Sequence, residues 1–443
     1  MQRRLTVIGG GLAGCEAAYQ AAIRGVCVTL YEMRPVRQTP AHQTADLAEL
    51  VCSNAMGALD PSSAPGLLKE EMRQLGSMIL DCARQAQIPA GGALGVDRLQ
   101  FSKKVTEKIC RHPNITLLRE EVKAIPEDDV IVVATGPLTS DALAESIRRL
   151  TQADALYFFD AISPIIDAET IDHNKTFRAS RYGKGGEDYL NCPMDEAEYD
   201  AFYRALVSAE RVVPKSFEKT AYFEACLPIE VLADRGRLTP LFGPMKPVGL
   251  IDPRRGVQPF AVVQLRAENA HRSCYNMVGF QTQLKWPEQK RVFRMIPGLA
   301  AAEFFRMGSI HRNTFINAPR LLSQTLQVRN RPGLFMAGQL VGVEGYVESA
   351  AMGYLAGMNA ARLLSGRSPI SPPPTTAHGA LIGHLVYSHV ADFQPMNINF
   401  GLFPPLVGGR GDKKLRRQQV VDRAMEDLSR WIAQYKITDV TSH

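Results

Sequence analysis

RRLTVIGGGLAGCEAAYQAAIRGVCVTLYE, residues Arg3 to Glu32, opens on an apolar run that reads as a buried strand and passes straight into glycines. Gly9, Gly11 and Gly14 stand in the order G-x-G-x-x-G, with Gly10, Leu12 and Ala13 between them. After a strand, such glycines allow a tight turn and let a pyrophosphate approach the backbone. The helix that follows turns its free N–H groups and positive dipole end toward the same point. Ala13, Ala17, Ala18, Ala21 and Ala22 let that helix sit close on a sheet, and Gly25 ends it. Glu32 falls 18 residues after Gly14, at the end of the next strand, where a carboxylate accepts from a ribose hydroxyl. Strand, turn, helix and strand in this order predict a Rossmann-like α/β fold. Gly9, Gly10, Gly11, Leu12, Ala13, Gly14 and Glu32 are its expected cofactor-binding residues.

The rest of the chain bounds what is built around that core. Its 443 residues, 45% hydrophobic and 22% charged, have globular composition and suffice for two or three domains, which excludes a disordered or fibrous protein. No apolar run reaches membrane-spanning length and the N-terminus enters a strand pattern without a leader, so a cytoplasmic protein with no membrane partner is expected. Eight cysteines, at positions 15, 27, 52, 82, 110, 192, 226 and 274, form no CxxC and no paired Cys/His spacing. Neither a metal site nor a dithiol is expected from them. The net charge of +6 is mild, but it is clustered: RASRYGK at 178–184, five cationic residues from Arg235 to Arg255, and RGDKKLRR at 410–417. Single clusters are usually solvated surface; several together suit a polyanionic partner.

Further along, Leu68, Met72, Leu75, Ile79 and Cys82 form one stripe and predict a helix over 67–85, followed by another over 98–111. VIVVATGPL, residues 130–138, reads as a parallel strand returning to the sheet. From Leu156 to Pro332 the pattern changes to shorter elements rich in proline and aromatics, as in an inserted α+β domain. At Gly333 the sheet is expected to resume in GLFMAGQLVGVEGYVESAAMGYLAGMNAARLL: a strand, a glycine-rich loop and a long helix of small residues. A linker, SGRSPISPPPTT, leads to a helical tail with apolar spacing at Val421, Met425, Leu428 and Ile432. The expected division is 1–155, the first part of the nucleotide-binding domain; 156–332, the insertion; 333–366, the closing part; and 367–443, linker and helical tail. A nucleotide fold split and closed this way suits FAD, whose ring needs a second floor far along the chain, better than NAD. No second GxGxxG is present, since GGALG at 91–95 lacks the spacing. NADPH or NADH is therefore expected to visit the flavin directly.

Read end to end, VIGGGLAGCEAA, ELVCSN, FEACLPIEVLADRG, GPMKPVGL, NTFINAP and AGQLVGVEGYVESAAMGYLAGMNAAR resemble, in order and spacing, the folate- and FAD-dependent tRNA (uracil-C5)-methyltransferases. The resemblance implies an enzyme that forms 5-methyluridine at position 54 of the tRNA T-loop. Its one-carbon donor would be 5,10-methylenetetrahydrofolate, and its hydride would come from flavin reduced by NADPH or NADH. It also places Gly338 and Gln339, with Glu348 beside them, near the flavin. The nearest rival is the related flavoprotein that modifies the wobble uridine of tRNA. That family is longer and follows its first cysteine with Asn-Pro and glycines, whereas Cys52 is followed by Ser53, Asn54, Ala55 and Met56. A small-molecule flavin oxidase and an RNA-binding scaffold are weaker alternatives.

Uracil C5 is a poor nucleophile, and a thiolate adding at C6 makes it electron-rich; a base must later remove the C5 proton. Cys15, Cys27, Cys82, Cys110 and Cys274 lie in regular elements and read as structural, while Cys192 is undecided. Cys226 precedes Pro228, which suits the first position of a short helix, so its thiol would lie at a helix N-terminus. Cys52 sits in a non-periodic stretch beside hydrogen-bonding residues, after Asp46 and Glu49. By the resemblance both are catalytic. Cys226 is expected to add to C6 and Cys52 to act as the C5 base or to protect the flavin, with the reversed roles also open. Arg178, Arg181, Lys184, Lys413, Lys414, Arg416 and Arg417 are candidates for holding tRNA phosphates, and Tyr346 for stacking, with solvated charge and core packing as the plainer readings.

Overall fold

The computed structural model describes residues 3–39, 41–127, 130–151, 156–212, 227–406 and 412–438. Its first sheet has the order Gln327–Val328, Arg331–Met336, Val130–Val133, Arg4–Ile8, Cys27–Tyr31, Ile115–Leu118. All neighbours are parallel except Gln327–Val328, which runs antiparallel at the edge. From Arg4–Ile8 the chain goes first to Cys27–Tyr31 on one side and later returns through Val130–Val133 on the other. The connections therefore part above the carboxyl end of the first strand and leave a crevice there.

Two helices pack across this sheet at unusually short range. Leu12–Ala22 begins at the glycine turn, and Tyr346–Leu364 comes from the other end of the chain. A Cβ on Gly353 would stand 2.2 Å from the Ala13 carbonyl oxygen, and one on Gly357 2.2 Å from that of Ala17. Both helices are almost wholly buried, and their alanines and glycines are what permit the contact.

The stripe expected as one helix over 67–85 is broken in two, Ala64–Leu75 and Met78–Gln85. Gly76 ends the first in the left-handed region (φ 75), and the Ser77 hydroxyl accepts the Leu80 N–H at 3.2 Å to start the second. The buried Glu16 carboxylate accepts the Met78 and Ile79 N–H groups and the Ser77 hydroxyl proton, so the new N-terminus is capped from the first helix. The apolar stripe survives the break because all five of its residues stay buried.

The second body holds an antiparallel sheet in the order Phe177–Arg178, Tyr189–Met194, Ala261–Ala267, Cys274–Met277, Ile165–Asp167, Phe304–Arg306. Register puts Leu190, Leu265 and Met277 on one face, over helices Glu196–Val207 and Trp286–Phe293, and Asn191, Gln264, Arg266 and Asn276 on the other. This second face is polar yet buried. Strands Leu156–Ile162 and Ser309–Phe315 pair with each other and carry the chain out and back. The chain rejoins the first core earlier than the expected resumption at Gly333: Phe315, Ala318, Leu321, Leu322 and Leu326 already pack there. Their apolar spacing, interrupted by Pro319, gave no sign of this.

In the tail, helix Ala377–Tyr387 is anchored by the Glu71 carboxylate, which accepts the Ala377 N–H at 2.6 Å and touches His378 Nδ1 at 2.7 Å. Helix Lys413–Tyr435 buries Val421, Ala424, Leu428 and Trp431 against the first core. Among the described residues no helix is long and apolar enough to cross a membrane.

The helix crossing yields a paired test. Gly353→Ala places a methyl against backbone and is expected to lower stability by about 1–3 kcal/mol. Gly383→Ala, in a helix with open space around it, is expected to raise stability by up to about 1 kcal/mol. Thermal melts of the two variants, read together, separate steric exclusion from helix propensity.

Candidate active site: a glycine-walled cleft and a clamped cysteine

The crevice above the first strand is a cleft with about 1010 Å³ of empty space, walled by Gly9–Ala13, Glu32–Arg34, Ala134–Ser140, Gly338, Gln339 and Tyr346. Three glycines of the turn below it are glycine for reasons inside the protein. A Cβ on Gly9 would lie 2.6 Å from the Ala134 carbonyl oxygen, on Gly14 1.8 Å from that of Gly9, and on Gly10 2.6 Å from Leu47. Gly11 differs, because a Cβ there would meet nothing within 4 Å. It is the N-cap of Leu12–Ala22 and no side chain caps that helix, so its missing methyl leaves free N–H groups open to a ligand.

Glu32 stands on the wall of the cleft. One carboxylate oxygen accepts the Gly10 N–H at 2.9 Å; the other accepts the Arg34 backbone N–H at 3.0 Å and its Nε at 2.9 Å. Burial pushes this carboxyl up, but the Arg34 bonds and charge and the Gly10 N–H outweigh it and hold it below the ordinary range. The anion keeps about one acceptor site for a ribose hydroxyl. Arg34 also donates to Glu49 at 3.1 Å. At the far end Gln339 donates to Glu344 at 2.7 Å, and Gly338 packs on Ala13. Glu348 is not part of the wall. It is buried behind it, accepting the Ile398 N–H at 3.2 Å, and burial raises its carboxyl.

His42 also lines the cleft, its Nδ1 2.6 Å from the Thr39 hydroxyl. Burial first, and then the Arg34 charge, push its imidazole down to about 4, so the ring is neutral at ordinary pH.

Cys52 lies half-buried where the cleft meets the second body. Its N–H donates to the Tyr346 phenol oxygen at 2.9 Å, as does that of Ser53 at 3.2 Å. Arg98 donates to the Leu50 and Cys52 carbonyls and pairs with Glu268 at 2.9 Å. From the second body, Arg266 donates to the Asn54 side-chain oxygen Oδ1 at 2.8 Å and to the Ser53 hydroxyl at 2.7 Å. Asn54 in turn donates to the Val96 and Ala267 carbonyls, at 3.0 Å each. The loop is thus held from both bodies at once. Arg98 and the partly buried Arg306 both interact electrostatically with the Cys52 side chain. Burial and the Cys52 thiol push the Tyr346 phenol up, so it stays protonated.

Cys226 lies outside the described residues. The helix after it runs Ile229–Asp234, with Pro228 as its N-cap and not its first helical residue. Cys192, left undecided by sequence, is fully buried in its strand, and burial pushes its thiol up to about 12; Cys82 is pushed up to about 11 in the same way. Of the expected phosphate-holding cations, Arg181 turns inward to Gln264 and the Lys246 carbonyl, and Arg178 donates to the Tyr275 hydroxyl. Lys184, Lys414, Arg416 and Arg417 are exposed, and the Lys413 side chain lies outside the described residues. Sequence reasoning missed Arg34, His42, Arg98, Arg266 and Arg306. Arg34 had a signal, two residues after the strand-end acid; the others come together only in the fold.

The family model described as glucose inhibited division protein A matches residues 4–368. A methylenetetrahydrofolate–tRNA-(uracil-5-)-methyltransferase TrmFO from Desulforudis audaxviator is 57% identical over 98% of this chain and 99% of its own. The protein of that name from Heliobacterium modesticaldum is 59% identical over 97% of this chain and 98% of its own, and that from Aquifex aeolicus 56% over 98% and 97%. The chain belongs to the TrmFO family. A solved structure of Aquifex aeolicus GidA superposes with a TM-score of 0.68 at 19% identity, over 99% of this chain and 76% of that one, so the two share a fold. The cleft of this TrmFO-family chain fits FAD on its own geometry: an uncapped helix N-terminus, the open side of Gly11, and an ionised Glu32 beside the glycine turn.

Two tests follow from the cleft. Gly11→Ala is expected to change apoprotein stability by no more than about 1 kcal/mol yet to retain flavin at least tenfold less well, read by bound absorbance after dialysis. His42 is depressed from 6.5 to about 4, so the unfolded chain binds its proton first as the pH falls. Apoprotein stability should therefore be full above pH 6.5, drop by up to about 3 kcal/mol on the way to pH 4, and level off below. His42→Gln should remove that part of the acid sensitivity in melts across pH 4–7.

Proposed function

We propose that this chain methylates C5 of the T-loop uridine of tRNA, taking a methylene from 5,10-methylenetetrahydrofolate. The observation that carries the reading is the seat of Cys52, clamped by Tyr346 at the mouth of the dinucleotide cleft and by Arg266 of the second body. A thiol there lies between a cofactor site and a domain able to present a large substrate. FAD, reduced by NADPH or NADH, supplies when bound the hydride that turns an exocyclic methylene into methyl. Gly9–Gly14 and Glu32 hold its ADP part, with Gly338 and Gln339 beyond. The protein works in the cytoplasm, and its two hydrophobic cores support a nucleotide-binding domain split by an insertion.

The T-loop uridine is stacked and paired, so it must be extruded at a cost of a few kcal/mol. Cys226 adds as thiolate to C6, opening the C5–C6 double bond and placing enolate charge on C5, which attacks the methylene as one of its two bonds to folate nitrogen breaks. Cys52 then takes the C5 proton, and the second carbon–nitrogen bond breaks with its electron pair leaving on the folate amine, which gives an exocyclic methylene. As hydride arrives at that carbon, the Cys226 thiolate leaves C6 and the ring double bond is restored. Arg98 and Arg306 offset negative charge on Cys52 while its backbone stays fixed by Tyr346. The reversed assignment of the two thiols uses the same steps.

Mass spectrometry of unmodified tRNA incubated with the holoenzyme, NADPH and methylene-labelled methylenetetrahydrofolate should find the label as 5-methyluridine in the T-loop. Cys52→Ala should slow this by about 10²–10⁴-fold, the range of a lost general base, and Cys226→Ala should abolish it. A folded, flavin-loaded Cys226→Ala variant that methylates at the normal rate would sink the assignment.

A further inference from the structure

Tyr182 adopts a left-handed backbone (φ 58, ψ 23), which for a bulky residue is an outlier that marks a turn under functional demand. Its ring is 60% exposed. It lies on the backbone of Gly249, where a Cβ would come within 2.8–3.0 Å of three ring atoms, and its N–H donates to the Gly249 carbonyl at 3.0 Å. Val248, next in the chain, is also exposed, at 43%. The turn is rigid because Arg181 runs inward beneath it to Gln264 and to the carbonyls of Lys246 and Val248. Gly183, Gly185 and Gly186 take the same hand at no cost, so a glycine at 182 would also suit the turn; a tyrosine there keeps a flat ring in solvent.

Lys184 extends from the same turn. Its carbonyl packs near Gly91, whose N–H donates to Asp188 at 2.7 Å, and Gly92 accepts the Leu59 N–H at 2.9 Å, so the turn abuts the 59–60 loop. The exposed Asp60 carboxyl there is lowered first by its Ser62 bonds, and the charges of Lys184 and Lys414 both act on it in the same direction. Asp60 is eight residues from Cys52, a span of at most about 29 Å.

We propose that Tyr182, Lys184 and Lys414 form a docking surface for the tRNA outside the reacting uridine, with the ring stacking on an unpaired base and the lysines holding phosphates. An exposed, immobile aromatic face among cations is what sequence-tolerant RNA contact uses. The inference rests on the tRNA substrate proposed above.

Binding of unmodified tRNA to holoenzyme is measured by filter retention from 50 to 200 mM salt. Tyr182→Gly, which fits the backbone and so folds, should bind about 5- to 100-fold more weakly with an unchanged salt slope. The double variant Lys184→Gln, Lys414→Gln should weaken binding and lower the slope by about two. In both, flavin reduction by NADPH without tRNA should match wild type. Wild-type affinity in Tyr182→Gly overturns the proposal, as does a ring needed only for self-association by light scattering. If wild-type holoenzyme neither binds nor methylates tRNA, the proposed function itself fails, which is a separate result.

Discussion

The crossing of helices Leu12–Ala22 and Tyr346–Leu364 sets the rest of the molecule. Backbone meets backbone where Gly353 covers Ala13 and Gly357 covers Ala17, at a range any side chain would forbid. Such a contact fixes both helix positions to within a fraction of an ångström, since packed interiors have little slack. It therefore places two N-termini, one from each end of the chain, over the same strand. The glycine turn and the Gly338–Tyr346 segment become opposite walls of one cleft although 330 residues separate them.

That geometry reaches the chemistry through Tyr346, the first residue of the second helix. Its phenol oxygen accepts the N–H groups of Cys52 and Ser53, so the height of the helix sets the height of the thiol. Two N–H groups sharing one neutral acceptor draw the loop onto the cleft mouth without adding charge. The second body fastens the same loop from outside through Arg266, which is why a hinge between the bodies cannot open without disturbing Asn54.

The first strand, the glycine turn and the glycine-rich closing segment were legible because each needs particular residues at particular spacings. Gly9 and Gly14 cannot carry a side chain for steric reasons that any fold of this kind repeats. The split at Gly76–Ser77 was masked because the apolar stripe runs on across the break, while the capping carboxylate comes from Glu16, some sixty residues earlier. Cys52 stood out by its lack of periodicity. Its partners did not, since Arg98, Arg266 and Arg306 belong to three separate elements and nothing local in the sequence ties them to a cysteine. Glu348 shows the opposite limit: the resemblance placed it beside Gly338 and Gln339, but its carboxylate turns back toward Ile398.

The buried charge around Cys52 is costly and so informative. Arg98, Arg266 and Glu268 are nearly out of water, and desolvating each ion costs several kcal/mol before any pairing returns it. Apolar residues of the same size would make a more stable seam between the two bodies. A seam built for stability alone would also have no reason to leave one oxygen of Glu268 and the amide nitrogen of Asn276 buried without a protein partner among the described residues. Asn276 pairs in register with Arg266, on the sheet face from which Arg266 reaches Ser53 and Asn54 of the Cys52 loop. A polar seam of this kind trades stability for orientation. It holds the Cys52 loop in one conformation, tied at once to the first body through Tyr346 and Arg98 and to the second through Arg266.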